Sequence, residues 1–493
     1  MLKKIIHALI WIYSFFCCTL FILGFFFGCA QAMYGNFSLT QFMFHLAKIS
    51  TMNFSVVIII TVLIPFIASS CLILLALKRP LLWLRNYISQ DKITQLAQHK
   101  ISLSLTTSTI TALLGIIIIA SMSAYPLTQI IPQIKESYTL FHKSKIYDTI
   151  IDENFTPPQQ ITFQQETPHN LIIIFAESLE NTFTNATIFG QNLLPNLMKQ
   201  KGTSFIGYEK SSEVSWTYAS IVSTLCGITY KTYFPSRKLS DDMICISDIM
   251  NQNGYNTYYL QGTSLKFADV DKFLKAHHFT SEGIEELPRV TPDKLSSLEL
   301  YSVNFVGDIL DDIHLLKIFR EKITQLTQSD KPFLAITATM NTHPFHGHTS
   351  PNCSRKYKDM RDAILCSDTE LSEFIQWFQQ QDFAPNTTLI IMGDHLMMYN
   401  DMQKYLDKVP HRTTLNLMWG YAAPKENIEK PFNQFDWAPT LLEMAGFDWN
   451  EKKFALGTSL LSDEKTLLEK YGKQLDQRLL NNSKLYENSI FIK

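Results

Sequence analysis

Two apolar runs in this sequence end in residues that bind metals. LIIIFAE closes on Glu177, and LIIMGDH closes on Asp394 and His395. Two carboxylates and an imidazole form a donor set that suits Zn²⁺ or Mn²⁺. Each run alone has a plainer explanation, because acids that follow strands commonly serve as helix N-caps or turn residues. The same ending on two runs favours a shared site. Between them lies SSEVSWTYASIVSTLCG, a Ser/Thr-rich stretch leading into an apolar helix. Thr217 stands where that helix could start, beside exposed N–H groups that attract anions, phosphate included. A threonine hydroxyl on a divalent ion is a competent nucleophile, because the ion lowers its pKa. On pattern alone, a helix-capping hydroxyl is the commoner use of such a residue.

A further group is NTHPFHGH, with His343, His346 and His348. These imidazoles are candidates for phosphate contact, proton donation or metal binding, and a solvated loop is the alternative. Arg412, in HRTTLNLMW, could grip a phosphate through its two-pronged guanidinium.

These groups need elements that bring them together. NLIIIFAE, GYNTYYLQG, KPFLAITATM, TTLIIMGDH and LNLMWGYAA read as short apolar strands, with helical stretches such as DTELSEFIQWFQQQ and FLKAHHF between them. Strands that are apolar on both faces and alternate with helices predict an α/β domain with a mostly parallel sheet covered by helices. In such sheets ligands bind beyond the C-terminal ends of the strands, where Glu177, Asp394 and His395 would project. After about residue 460, SDEKTLLEKYGKQLDQRLLNN reads as a charged, amphipathic C-terminal helix.

The chain has 493 residues and a net charge of −2. No clustered positive charge marks it as a nucleic-acid binder. Its first quarter holds three long apolar segments, at about 5–32, 54–77 and 105–125, each near the ~20 residues that cross a bilayer. Lys3 and Lys4 precede the first. Lys78, Arg79, Arg85, Lys92 and Lys100 lie between the second and third, and only Lys48 lies between the first two. This asymmetry puts the N-terminus inside and everything after about residue 126 outside. Residues 126–168, with Pro126, Pro132, Pro157 and Pro158, form a connector. Outside the membrane, Cys226, Cys245, Cys353 and Cys366 permit two disulfides in three connectivities. Cys226–Cys245 and Cys353–Cys366 are favoured because each closes a short loop. A four-cysteine zinc site is disfavoured by the lack of a CxxC pair.

The order AESLE, SWT, CG, ICISDIM with GYNTYYLQG, THPFHG, CSD and GDH resembles the phosphoglycerol transferases of the sulfatase-like, alkaline-phosphatase superfamily. It looks closest to those that decorate periplasmic glucans, with lipoteichoic acid synthases more distant. The resemblance covers roughly residues 169–450. It implies an alkaline-phosphatase/sulfatase-like catalytic domain over 169–460, after a transmembrane domain (1–125) and the connector, with a helical tail over 461–493. It implies that Glu177, Asp394 and His395 hold one divalent ion, Mn²⁺ or Zn²⁺, and that Thr217 is the nucleophile and also touches the metal. His343 would meet the substrate phosphate, His346 is a neighbouring candidate, and Arg412 falls where relatives often carry a basic residue.

The implied enzyme sits in the bacterial inner membrane with its catalytic domain on the periplasmic side. It would move phosphoglycerol from a phospholipid donor, phosphatidylglycerol, to an envelope glycan through a phospho-threonine intermediate. Phosphoethanolamine transfer to lipid A or a glycan is the alternative on the same fold, and a membrane-tethered, non-catalytic binding protein is the alternative of another class. Two features depart from the family pattern, the lead-in to the Trp-Thr pair and the short segment after CG. SSEVS stands where the glucan-modifying branch often has a glycine-rich lead-in. Cys226 is followed by GITY, not by the C/S-x-P/A-x-R context of true sulfatases, which argues against sulfate-ester hydrolysis.

Overall fold

The computed structural model describes residues 146–492, except 166, 231–237, 241, 288–299, 304–306, 345 and 399. The expected membrane spans and the first part of the connector, residues 126–145, lie outside the described residues. Among the described residues, no helix is long and apolar enough to cross a membrane.

The five apolar runs, with a short polar strand TSE that they did not include, form one six-stranded sheet. Its strands are β1 (Asn170–Ala176), β2 (Asn256–Gln261), β3 (Thr280–Glu282), β4 (Phe333–Ala338), β5 (Thr387–Gly393) and β6 (Asn416–Gly420). They lie in the order β6-β5-β1-β4-β2-β3. Every neighbouring pair is parallel except β5 and β6, so LNLMWG becomes an antiparallel edge. Residues 171–176 of β1 are all fully buried. This is why the run shows no polar alternation: both faces of a central strand are covered.

The main helices are α1 (Thr217–Cys226), α2 (Ile246–Gln252), α3 (Val270–Ala276), α4 (Asp312–Leu326), α5 (Met360–Gln379), α6 (Trp437–Met444), α7 (Leu467–Tyr471) and α8 (Gln474–Leu479). On one face of the sheet, Ile172, Ile174, Leu389 and Ile391 join Leu315, Phe319 and Ile323 of α4 and Phe374 and Phe378 of α5 in a single core. Phe319 and Phe374 stack at 5.9 Å. Helices α1, α2 and α6 pack against one another, and α2 packs against β2.

Both favoured disulfides are present, Cys226–Cys245 and Cys353–Cys366. The first ties the last residue of α1 to the N-cap of α2. The tail differs from the continuous helix expected. Gly472 turns out of helical geometry at φ 55° after α7, and α8 ends within the described tail at Leu479. A short π-helical turn, Tyr486–Ile490, follows, and the strand Phe491–Ile492 then pairs with Lys238–Leu239. The charge pattern suited a helix, but a glycine and the polar NNS break it into pieces that dock separately.

Candidate active site

Strands β1 and β5 are parallel neighbours in register, with Ala176 opposite Gly393. The next residue of each strand is therefore an acid at the same sheet end, Glu177 beside Asp394. Two local features let the chain turn there. Ser178 takes a left-handed conformation, φ 53°. Gly393 leaves room for the turn after β1, since a Cβ on it would lie 1.9 Å from the Leu179 carbonyl oxygen. Backbone bonds from Leu415 N to Leu179 O (3.0 Å) and Gly393 N to Leu415 O (2.7 Å) lock the two turns together.

One donor atom each from Glu177, Asp394 and His395 lies within 4.8 Å of the others, and all three residues are buried. His395 Nε2 is 3.6 Å from Glu177 Oε1 and 3.4 Å from Asp394 Oδ2. His395 Nδ1 lies 3.0 Å from the Leu396 carbonyl oxygen. A proton on Nδ1 satisfies that contact and leaves the Nε2 lone pair facing the carboxylates, which is how a second hydrogen bond fixes a metal-binding tautomer. Asp394 Oδ1 accepts from Ser178 N and His395 N, both at 2.8 Å. Asp394 Oδ2 is buried with no hydrogen-bond partner, an arrangement that costs free energy unless something else binds that oxygen.

The electrostatics agree with a cation site. Burial would push Glu177 up, but His395 and His343 outweigh it and hold Glu177 below the usual carboxylate range. Burial and the nearby Glu177 charge push Asp394 up. Burial disfavours the His395 imidazolium, yet Asp394 and Glu177 outweigh it and hold His395 above its ordinary value. Two buried carboxylates and one imidazole thus compete for protons in a space where a divalent ion would satisfy all three.

Thr217 is not the cap of its helix. Trp216 is the N-cap, without a side-chain cap bond, and Thr217 is the first helical residue. Its hydroxyl donates to Glu177 Oε2 at 3.2 Å. Thr217 is only half-buried, whereas the three ligand candidates are buried. The structure therefore brings a reachable hydroxyl, at a helix N-terminus, against a three-ligand cluster.

His343 belongs to the loop after β4. Its Nδ1 is 2.7 Å from the Pro344 carbonyl oxygen, and its proximity to Glu177 is what allows it to lower that acid. Several residues not singled out from the sequence hold this loop. Thr339 N donates to Phe175 O at 3.0 Å, Thr339 Oγ1 accepts from Glu177 N at 3.0 Å, and Thr342 Oγ1 donates to Glu177 O. Asp312, at the start of α4, accepts from Met340 N (2.9 Å) and Asn341 N (2.8 Å). Burial pushes Asp312 up to about 7, against those two bonds. The Thr-rich lead TATMNT was the only sequence signal for this brace.

Two candidates sit otherwise than expected. His346 is exposed and pairs with Asp401 Oδ2 at 2.8 Å. Its neighbour His348 lies 3.1 Å from Asp311 Oδ2. Arg412 gives its two-pronged guanidinium to buried Glu180: Nε donates to Oε2 at 3.0 Å, and Nη2 donates to Oε1. Nη2 also donates to Met397 O at 2.7 Å, and Met397 N donates to Glu180 Oε1 at 2.8 Å. Arg412 thereby pins the chain just after His395. Arg412→Ala would strand a buried carboxylate and is expected to cost about 3 kcal/mol, read by denaturant unfolding. An unchanged unfolding midpoint would mean that the Arg412–Glu180 pair carries no net stability.

The family model described as Sulfatase matches residues 169–447. Phosphoglycerol transferase I of Salmonella agona is 30% identical over 322 residues, which is 60% of this chain and 40% of that protein. Phosphoglycerol transferase I of Citrobacter koseri is 30% identical over 317 residues, 60% of this chain and 39% of that protein. The chain therefore spans about two fifths of the length of these curated relatives. Among solved structures, the lipoteichoic acid synthase LtaP of Listeria monocytogenes aligns at TM-score 0.47 and 15% identity, covering 66% of this chain and 81% of that one.

Proposed function

The chain belongs to the Sulfatase family, and from that premise we propose that it is a membrane-anchored, metal-dependent phosphoglycerol transferase that uses Thr217 as its nucleophile. One observation carries this reading: the half-buried Thr217 hydroxyl lies 3.2 Å from Glu177 Oε2, against the buried Glu177–Asp394–His395 cluster. Sulfate-ester chemistry through a modified cysteine is not supported, because the Cys226 sulfur is bonded to Cys245 at the far end of α1.

Glu177, Asp394 and His395 would hold a divalent ion, Mn²⁺ or Zn²⁺, with the Thr217 oxygen as a further ligand. Such an ion supplies charge neutralisation at a phosphate and lowers the pKa of a bound hydroxyl. His343 lies close enough to influence Glu177; with Nδ1–H spent on the Pro344 carbonyl oxygen, it would donate Nε2–H to the phosphodiester of a phospholipid donor, phosphatidylglycerol, in its imidazolium form. Thr217 Oγ forms a bond to phosphorus as the bond to the diacylglycerol oxygen breaks. The hydroxyl proton, held by Glu177 Oε2 in the free site, ends on the departing diacylglycerol. The phosphoglycerol then carried by Thr217 passes to a hydroxyl of an envelope glycan. Positioning and charge stabilisation supply most of the rate, as in other phosphoryl transfers. Catalysis on the periplasmic face of the inner membrane would keep the donor headgroup beside the site.

The test uses the purified full chain, Mn²⁺ or Zn²⁺, and phosphatidylglycerol labelled in its headgroup. Intact-protein mass is expected to rise by one phosphoglycerol, with diacylglycerol released. An adduct only with phosphatidylethanolamine would make the enzyme a phosphoethanolamine transferase. No adduct with either lipid, with metal bound, would favour the non-catalytic binding protein.

A further inference from the structure

The C-terminal tail lies beyond the stretch that the family model covers, yet it holds the nucleophile segment on both flanks. Before Thr217, the backbone N–H and hydroxyl of Ser212 donate to the Asp476 carboxylate of α8 at 2.7 and 2.6 Å. After α1, the chain turns at Gly227 in a left-handed conformation, φ 65°. Just beyond it, the Tyr486 hydroxyl accepts from Thr229 N at 2.9 Å and donates to Thr229 O at 3.0 Å. Tyr486 and Thr229 are both fully buried. An internal backbone N–H and C=O that would otherwise be orphaned are thus satisfied by one phenol from the tail.

The tail is itself well anchored. Leu475 and Leu479 of α8 are buried. Arg478 grips Asp148 at 2.6 and 3.0 Å, and Asn482 exchanges backbone bonds with Ile146 and Asp148. The tail therefore ties the first described residues of the chain, the lead-in to Thr217 and the exit from α1 into one body.

We propose that the tail, residues 467–492, is a positioning device for Thr217, with Asp476 and Tyr486 as its positioning residues. This rests on the reading of Thr217 as the nucleophile. Helix α1 is short and stiff, so fixing the chain at both of its ends fixes the hydroxyl against Glu177. A misplacement of about 1 Å can cost roughly 100-fold in rate.

The experiment compares wild type with Asp476→Ala, Tyr486→Phe and Ser212→Ala in the full chain. Amide hydrogen exchange over residues 212–229 is read together with the rate of adduct formation on Thr217. Asp476→Ala and Tyr486→Phe are expected to speed exchange over 212–229 and leave it unchanged at the ends of β1 and β5. They should slow adduct formation by roughly 10-fold or more at unchanged metal affinity and unchanged lipid KM. Ser212→Ala added to Asp476→Ala should slow it no further, because both act through one contact. Should Tyr486→Phe fail to fold, the exposed Asp476 contact still decides the matter. Wild-type exchange and wild-type adduct rate in folded Asp476→Ala would overturn the proposal. If no lipid modifies even the wild type, the transferase reading fails, and faster exchange over 212–229 in Asp476→Ala still upholds the tail's grip on the Thr217 segment.

Discussion

Thr217→Ala is expected to abolish the phosphoglycerol adduct and lower turnover by on the order of 10³-fold or more, while the protein melts close to wild type. The asymmetry follows from the site. The Thr217 hydroxyl donates to Glu177 Oε2 at 3.2 Å and also interacts with Asp394, from a half-buried position. Its removal takes a donor from Glu177 Oε2, but Glu177 Oε1 still accepts from Ser178 Oγ at 2.6 Å, and a bound divalent ion would satisfy the freed oxygen. Helix α1 also loses nothing in propensity, alanine being the best helix former. Metal affinity should fall only modestly, because Glu177, Asp394 and His395 remain. Thr217→Ser keeps the oxygen and should keep part of the activity. The measurement is intact-protein mass after incubation with labelled phosphatidylglycerol, beside a metal titration. An adduct of undiminished yield on the alanine variant would remove Thr217 from the chemistry and leave the cluster as a binding site.

Gly393→Ala is the second large effect, and it acts on geometry. The new Cβ would lie 1.9 Å from the Leu179 carbonyl oxygen and 3.3 Å from Thr414 Cβ. Neither neighbour is the free end of a flexible side chain, so backbone must move. The part that moves is the turn carrying Glu177 and Ser178, relative to the strand end carrying Asp394 and His395. The expected cost is about 3 kcal/mol or more in stability. Metal affinity should drop by at least about tenfold, because the ligand atoms lose their convergence. Gly190→Ala is the internal control. Gly190 has φ +84° with nothing within 4 Å of a built Cβ, so it should cost only about 1 kcal/mol of local strain and leave metal affinity alone. Unfolding and metal titration on the two variants decide the matter. A Gly393→Ala protein that binds metal like wild type would mean that the two turns are looser than the structure shows.

Much of the site's framework can be read along the chain, for physical reasons that also mark where such reading stops. The runs LIIIFA and LIIMG are uninterrupted because their strands are covered on both faces, and the polar residue that ends each run marks the sheet end. Glu177, Asp394 and His395 could therefore be named together. The short loops closed by Cys226–Cys245 and Cys353–Cys366 were legible because nearby cysteines meet easily. Strand order was not legible: β1 comes first in the chain and sits in the middle of the sheet, between β5 and β4. The use of Arg412 was hidden because its partner Glu180 is 232 residues away in sequence, and no local pattern records so distant a pairing. The brace on the His343 loop was hidden likewise, since Asp312 reads simply as an acid near a helix start. The tail misled because periodicity reports which faces are apolar and is blind to a single glycine that ends a helix.

The bond between Cys226 and Cys245 makes the history of a preparation matter. Protein made in a reducing cytosol would carry two thiols where α1 should be joined to the start of α2. Closing a loop of that size is worth about 3 kcal/mol, enough to separate an ordered α1 from a fraying one. Two preparations of identical sequence and mass, within two hydrogens per bridge, could then differ in specific activity. The variable to record alongside yield would be the thiol count.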